Sequence, residues 1–150
     1  MSLETWKAEF YPVDADKVSE ADALDHSLRK WTGLKSENLR KHDVVPHDGS
    51  GTLNDSCKLY DAQDRTLTFF VDYRTCALCY HYTREEDANP CATCPISISR
   101  DGISCDNSTE MEFGISPYAV WTYVHNPHQM IDALKEAKEY TNRRNNNETL

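Results

Sequence analysis

The chain has 150 residues, a formal net charge of -9 and 39% hydrophobic residues, with a mean hydropathy of -0.73. That length predicts one domain with a core, lean enough to gain from a covalent or metallic staple. No apolar run approaches the ~20 residues of a membrane span, and Met1 to Phe10 lacks the basic start and apolar stretch of a secretory signal.

A cytoplasmic protein with reduced thiols is therefore expected, and the Asn107 and Asn147 sequons carry no meaning there. Charge is uneven along the chain. Residues 1–25 hold seven acids and two bases, whereas 29–42 hold five bases (Arg29, Lys30, Lys35, Arg40, Lys41) and one acid, Glu37. Such a basic segment is a solvated helix face or a binding surface.

In chain order, Val18, Ala21, Leu24, Leu28 and Trp31 recur every three or four residues, which predicts a helix. Ser19, Asp14 or Asp16 can cap its start. Gly33 can stop it in the left-handed conformation. Ser36 can cap a second short helix around Leu39, ended before Pro46, and "HDGSG" from His47 reads as a loop. "CKLY" and "TLTFFVDY" predict a hairpin around "DAQDR". In it Leu67, Phe69, Val71 and Tyr73 share one face and the second strand runs straight into Cys76. Ser116-Pro117 and Asn126-Pro127 each predict a helix start. The last helix is expected to bury Met130, Ile131, Leu134, Ala137 and either Tyr140 or Thr141. The fold class is α+β: N-terminal helices, a β-hairpin leading into a four-cysteine metal loop, and C-terminal helices. Residues 1–142 form one domain with the metal loop at 76–105, and 143–150 a polar, disordered tail.

The chemistry concentrates in "CALCYHYTREEDANPCATCP". Cys76 and Cys79 form one Cys-x-x-Cys pair, Cys91 and Cys94 a second, with eleven residues between them. Each turn brings two sulfurs to one side of an ion, and two turns close a tetrahedron of thiolates around zinc at ~2.3 Å. The polar residues between the pairs can loop out without burying anything. Cys105 and His81 are reserve ligands. An iron–sulfur cluster uses the same ligand type. Disulfides need an oxidising compartment, and a thioredoxin-like pair needs a βαβ setting that is missing. Cys57 reads as a small buried residue at a strand start. His125 and His128 read as ordinary helix-start residues, and Tyr118, Trp121 and Tyr123 as core aromatics packed against the cysteine loop. No P-loop, G-x-S-x-G or H-E-x-x-H occurs.

"CALC", "CATCPI", Cys105, "SPY" and Trp121, with "RKWTGLKSENLRKH" upstream, resemble a pattern in small cysteine-rich proteins of bacteriophages and bacteria. The resemblance spans about residues 25–140. It implies a prokaryotic or phage-type, zinc-binding protein of the cytoplasm (the host's, if phage-encoded), with no activity to carry over. The chain departs from that pattern in one place. Eleven residues separate Cys105 from Pro117, where the group keeps its last cysteine close to Pro-Tyr, which leaves the role of Cys105 open.

The leading expectation is a small non-catalytic accessory or regulatory protein, stabilised by zinc and acting through a protein partner. Its segment Arg29 to His42 would present bases outward to an acidic protein surface. A nucleic-acid-binding zinc module using residues 29–42 is the alternative. It is opposed by the net charge, because phosphate binding needs a basic footprint. A metal-dependent enzyme requires an open metal position, which a closed set of four thiolates does not leave.

Overall fold

The computed structural model describes residues 1–47, 57–83, 91–105 and 116–148. The expected loop at His47–Gly51 lies almost wholly outside them, as do the Asn107 sequon and the last residue of the Asn147 one.

Helix α1 (Leu3–Phe10) lies in the acidic arm, where no helix was expected. Its start is set by a capping box: Ser2 Oγ accepts from the Thr5 amide at 3.2 Å, and Thr5 Oγ1 accepts from the Ser2 amide at 2.8 Å. Leu3, Trp6 and Phe10, at i, i+3 and i+7, form its buried face. Trp6 donates its indole N–H to the Gly33 carbonyl at 2.9 Å.

Helix α2 (Ala23–Thr32) follows a 3-10 turn at Glu20–Asp22, and Ser19 Oγ accepts from the Asp22 amide ahead of it. The buried face differs from the expected stripe by about one position. Ala23, His26, Ser27, Lys30 and Trp31 are buried, Leu24 and Leu28 are half-buried at its flank, and Ala21 is exposed. Gly33 is helical, with φ -64, so it does not supply the expected left-handed stop. Glycine is needed there for close approach instead: a Cβ would lie 2.4 Å from Phe10 Cγ. Helix α3 (Ser36–Lys41) takes Lys35 as its N-cap, with no side-chain cap, so Ser36 does not play the expected role.

Three short antiparallel strands follow in the order β1 (Val44–Val45), β2 (Lys58–Asp61), β3 (Thr68–Phe70). Lys58 pairs with Phe70 and Leu59 with Phe69, which is the expected hairpin; β1 adds an unexpected third strand. Asp61 joins this sheet to α1 by accepting the Leu3 and Gln63 amides, both at 2.9 Å. Those amides, Leu3 first, hold its carboxyl below the ordinary value. The strand does not run into Cys76. It ends at Phe70, Leu67 and Tyr73 are exposed, and Tyr73–Thr75 forms a 3-10 turn opened by Asp72.

Helix α4 (Ala77–Tyr82) and helix α5 (Pro95–Ser99) carry the two cysteine pairs. Helix α6 (Pro117–Val124) starts as expected, with Ser116 Oγ accepting from the Ala119 amide at 3.1 Å. Helix α7 (His128–Glu148) is preceded by Asn126, whose side chain accepts the His128 amide at 2.9 Å. It buries Met130, Ile131, Ala133, Leu134 and Ala137 against α2 and α5, while Tyr140 is exposed and Thr141 half-buried. Residues 143–148, expected in a disordered tail, continue this helix. The fold is α+β, with helices at both ends of the chain around a small antiparallel sheet.

Candidate metal centre

The two cysteine pairs enter helices in complementary ways. Cys76 is the N-cap of α4 and its sulfur accepts the Cys79 amide at 3.3 Å. Cys94 is the N-cap of α5, with Pro95 at the first helical position. The end of α4 is tied to the second turn, because Thr93 Oγ1 donates to the Tyr82 carbonyl at 3.0 Å. Local backbone preference therefore orients one cysteine of each pair at a helix start.

Packing brings the pairs together. Cys76, Cys79, Cys91, Cys94 and Cys105 all line one cavity of about 30 Å³. Trp31 of α2, Leu78 of α4, Ile96 of α5, and Met130 and Leu134 of α7 complete its apolar wall. Cys105 is fixed from α6, since its carbonyl accepts the Tyr118 amide at 2.9 Å. The space admits one occupant of the size of a water or an ion.

The donor chemistry fits a soft divalent ion, and Ser27, Ser97 and Ser104 add hydroxyls to the wall. Ser97 Oγ is fully buried and has no hydrogen-bond partner among the described residues, a state that costs free energy unless something in the cavity accepts from it. Ser27 Oγ lies 4.0 Å from the Cys76 sulfur. The sulfurs line the space without closing on one point: among the described residues, no three Cys, His, Asp or Glu side chains stand ready to grip an ion. All six cysteines are free thiols.

Electrostatics separates the thiols. The Cys79 thiol, donating to Cys76, draws the Cys76 pKa down, helped by the Lys30 charge and the Cys79 amide, while the same contact and burial push Cys79 up. Burial pushes Cys94 up to about 11. Lys30 is the unexpected neighbour. It was expected on the solvated basic face, yet it is 1% exposed. Its ammonium donates to the Thr75 carbonyl at 3.0 Å and to Thr75 Oγ1 at 3.3 Å. Burial lowers its pKa, and Cys76, Cys79, Asp72 and Cys105 oppose that.

No protein-family model, no curated protein and no solved structure matches this chain. The site therefore stands on its own geometry.

The other sequence candidates lie elsewhere. His81 spends Nε2 on the Val18 carbonyl at 2.6 Å and does not line the thiol cavity. Cys57 is half-buried before β2, its carbonyl accepting the Val71 amide. His125 caps α6 in the left-handed region and stacks on Trp121, and His128 is exposed. Trp121 is buried and Tyr118 donates to the Val71 carbonyl, but Tyr123 is 75% exposed, against its expected place in the core.

The basic segment departs from the expected outward array at Lys30 alone: Arg29, Arg40 and Lys41 are exposed and Lys35 is half-buried. Lys30 points inward, Arg29 Nε donates to the Glu9 carbonyl at 2.6 Å, and Lys41 pairs with the Glu9 carboxylate at 3.1 Å. Of the acidic arm, Glu9 reaches these bases, with its backbone carbonyl on Arg29 and its carboxylate on Lys41. Trp31, Leu34 and Leu39 do turn inward. Ser27 and Lys30 were missed as site residues. The signal that could have found them is their own spacing, since both lie on the α2 face that also carries Ala23 and Trp31.

Proposed function

We propose that this chain is a small, non-catalytic protein whose cysteine core is closed by one structural zinc ion, and which acts by presenting its surface to a protein partner. The observation that carries the zinc assignment is the convergence of both Cys-x-x-Cys pairs, from α4 and α5, on one ion-sized cavity. Cys76, Cys79, Cys91 and Cys94 are the proposed ligands, and Cys105 stands beside them as the reserve. Zinc would draw the sulfurs in to ~2.3 Å and deprotonate them. In doing so it would tie the start of α4 to the turn that opens α5, beneath the apolar side chains of α2 and α7. Free thiols call for a reducing compartment, so the proposed location is the cytoplasm.

A protein partner is favoured by the exposed aromatic side chains Tyr73, Tyr80 and Tyr123 with Val124. The nucleic-acid alternative loses support, because Lys30 is buried and Arg29 and Lys41 are engaged with Glu9.

Elemental analysis of the purified protein with a visible spectrum tests the metal assignment. One zinc per chain and no visible absorption are expected, with zinc lost in Cys76→Ser and Cys79→Ser. Visible sulfide-to-iron bands, or a metal-free folded protein with six titratable thiols, would overturn it.

A further inference from the structure

A buried ammonium needs an anion nearby, because desolvating an isolated charge is costly. Lys30 is 1% exposed and, among the described residues, donates only to Thr75. Among the described residues, no carboxylate comes within ion-pair distance of it. Asp72 faces the same cavity of about 120 Å³, but its carboxylate takes the Arg74 amide at 2.8 Å and pairs with Arg74 Nε at 3.7 Å. The Trp31 ring, with its centroid 5.6 Å from Lys30 Nζ, offers only a cation–π contact. What remains in that cavity is sulfur: Cys76, Cys79 and Cys105 line it together with Lys30. The same three cysteines also line the smaller thiol cavity.

We infer that Lys30 is the built-in counter-charge of the thiol centre, a positioning residue whose ammonium offsets the charge of bound metal and thiolates and thereby sets metal affinity. This rests on the zinc assignment above. Four thiolates around one divalent ion leave two net negative charges, enclosed here by Trp31, Leu78, Ile96, Met130 and Leu134. The wall's hydroxyls, from Ser27, Ser97 and Ser104, are neutral and bring no compensating charge. One ammonium, held by Thr75 and facing the adjoining cavity that shares Cys76, Cys79 and Cys105, halves the imbalance. Thr75 immediately precedes Cys76, so the residue that orients the lysine also begins the first ligand turn. A lysine serving only to fill the core would be replaced without loss by an aliphatic chain of similar length.

The test compares wild type with Lys30→Met by cobalt(II) titration, followed by zinc competition against a chelator. The variant is expected to bind both metals about 10–100-fold more weakly with an unchanged cobalt–thiolate spectrum. Its metal-free form is expected to be as stable as wild type or more so, since a buried unpaired charge has been removed. The opposite signs of the two effects distinguish a counter-charge from a packing role. Equal metal affinity in wild type and variant overturns the role of Lys30 while leaving the zinc assignment standing. A wild type that takes up no cobalt overturns the zinc assignment and this inference with it. If Lys30→Met does not fold, Lys30→Gln keeps a donor for Thr75 without the charge and carries the same expectations. Failure of both variants to fold even with zinc present overturns the inference, because a counter-charge is dispensable to the rest of the core.

Discussion

The molecule has two interiors that are built differently. One lies between α1 and the sheet and is aromatic: Trp6 packs on Phe69 at 5.2 Å between ring centroids, and Tyr11 on Phe69 at 4.8 Å. Two of its buried polar groups find protein partners: the Trp6 indole on Gly33 and Asp61 on Leu3. The other lies between α2, α4, α5 and α7 and is lined by five thiols, three serines and a neighbouring buried lysine. There, among the described residues, Ser97 Oγ lacks a partner and Lys30 lacks a carboxylate. The first interior is held mainly by ring packing and by the Trp6 and Asp61 hydrogen bonds, although His26 Nδ1 beside Tyr11 has no partner among the described residues. The second has the composition of a site that an ion would finish, and two of its helices, α4 and α5, are only 6 and 5 residues long.

The comparison breaks first at Trp6. Trp6→Ala empties the aromatic interior and should cost ~3–5 kcal/mol, by the same amount in chelator as in zinc, measured by denaturant unfolding. A loss that grows in zinc would join the two interiors. Gly33→Ala should cost about 1–3 kcal/mol, because its new Cβ drives into Phe10 and overpacks the same interior. Wild-type stability for this variant would show that Phe10 yields freely. The smallest effect concerns pH. The Asp61 carboxyl is held below its ordinary value of 3.8 by the Leu3 and Gln63 amides. A depressed carboxyl contributes stability that is present above its unfolded value and lost as pH falls through the folded one. Asp61→Asn should therefore flatten the melting temperature below about pH 4, and an unchanged acid limb would remove Asp61 from the junction of α1 and sheet.

Much of this division is legible in the sequence, and the illegible parts share a cause. The α+β class, the β2–β3 hairpin, the starts of α6 and α7 and the α7 stripe follow from local spacing and capping residues. So does the pairing of cysteines within each turn. Lys30 was illegible because its burial is decided by α4, α6 and α7 packing onto α2, and none of these is a sequence neighbour. Gly33 shows the same thing: its local signal does mark a helix end, but its reason is Phe10, 23 positions away. Strand β1 has two residues, too few for an alternation to register. Helix α1 had a readable i, i+3, i+7 pattern, masked by the acidic residues around it.

Hydrogen exchange of the purified protein, with and without a zinc chelator, tests most directly whether an ion closes the second interior. Amides of Ala77–Tyr82 and of residues 96–99 should lose protection on chelation, because a structural metal is coupled to folding, while those of Leu3–Phe10 and Lys58–Asp61 keep theirs. Unchanged protection in the cysteine helices, or an equal loss in both interiors, would contradict it.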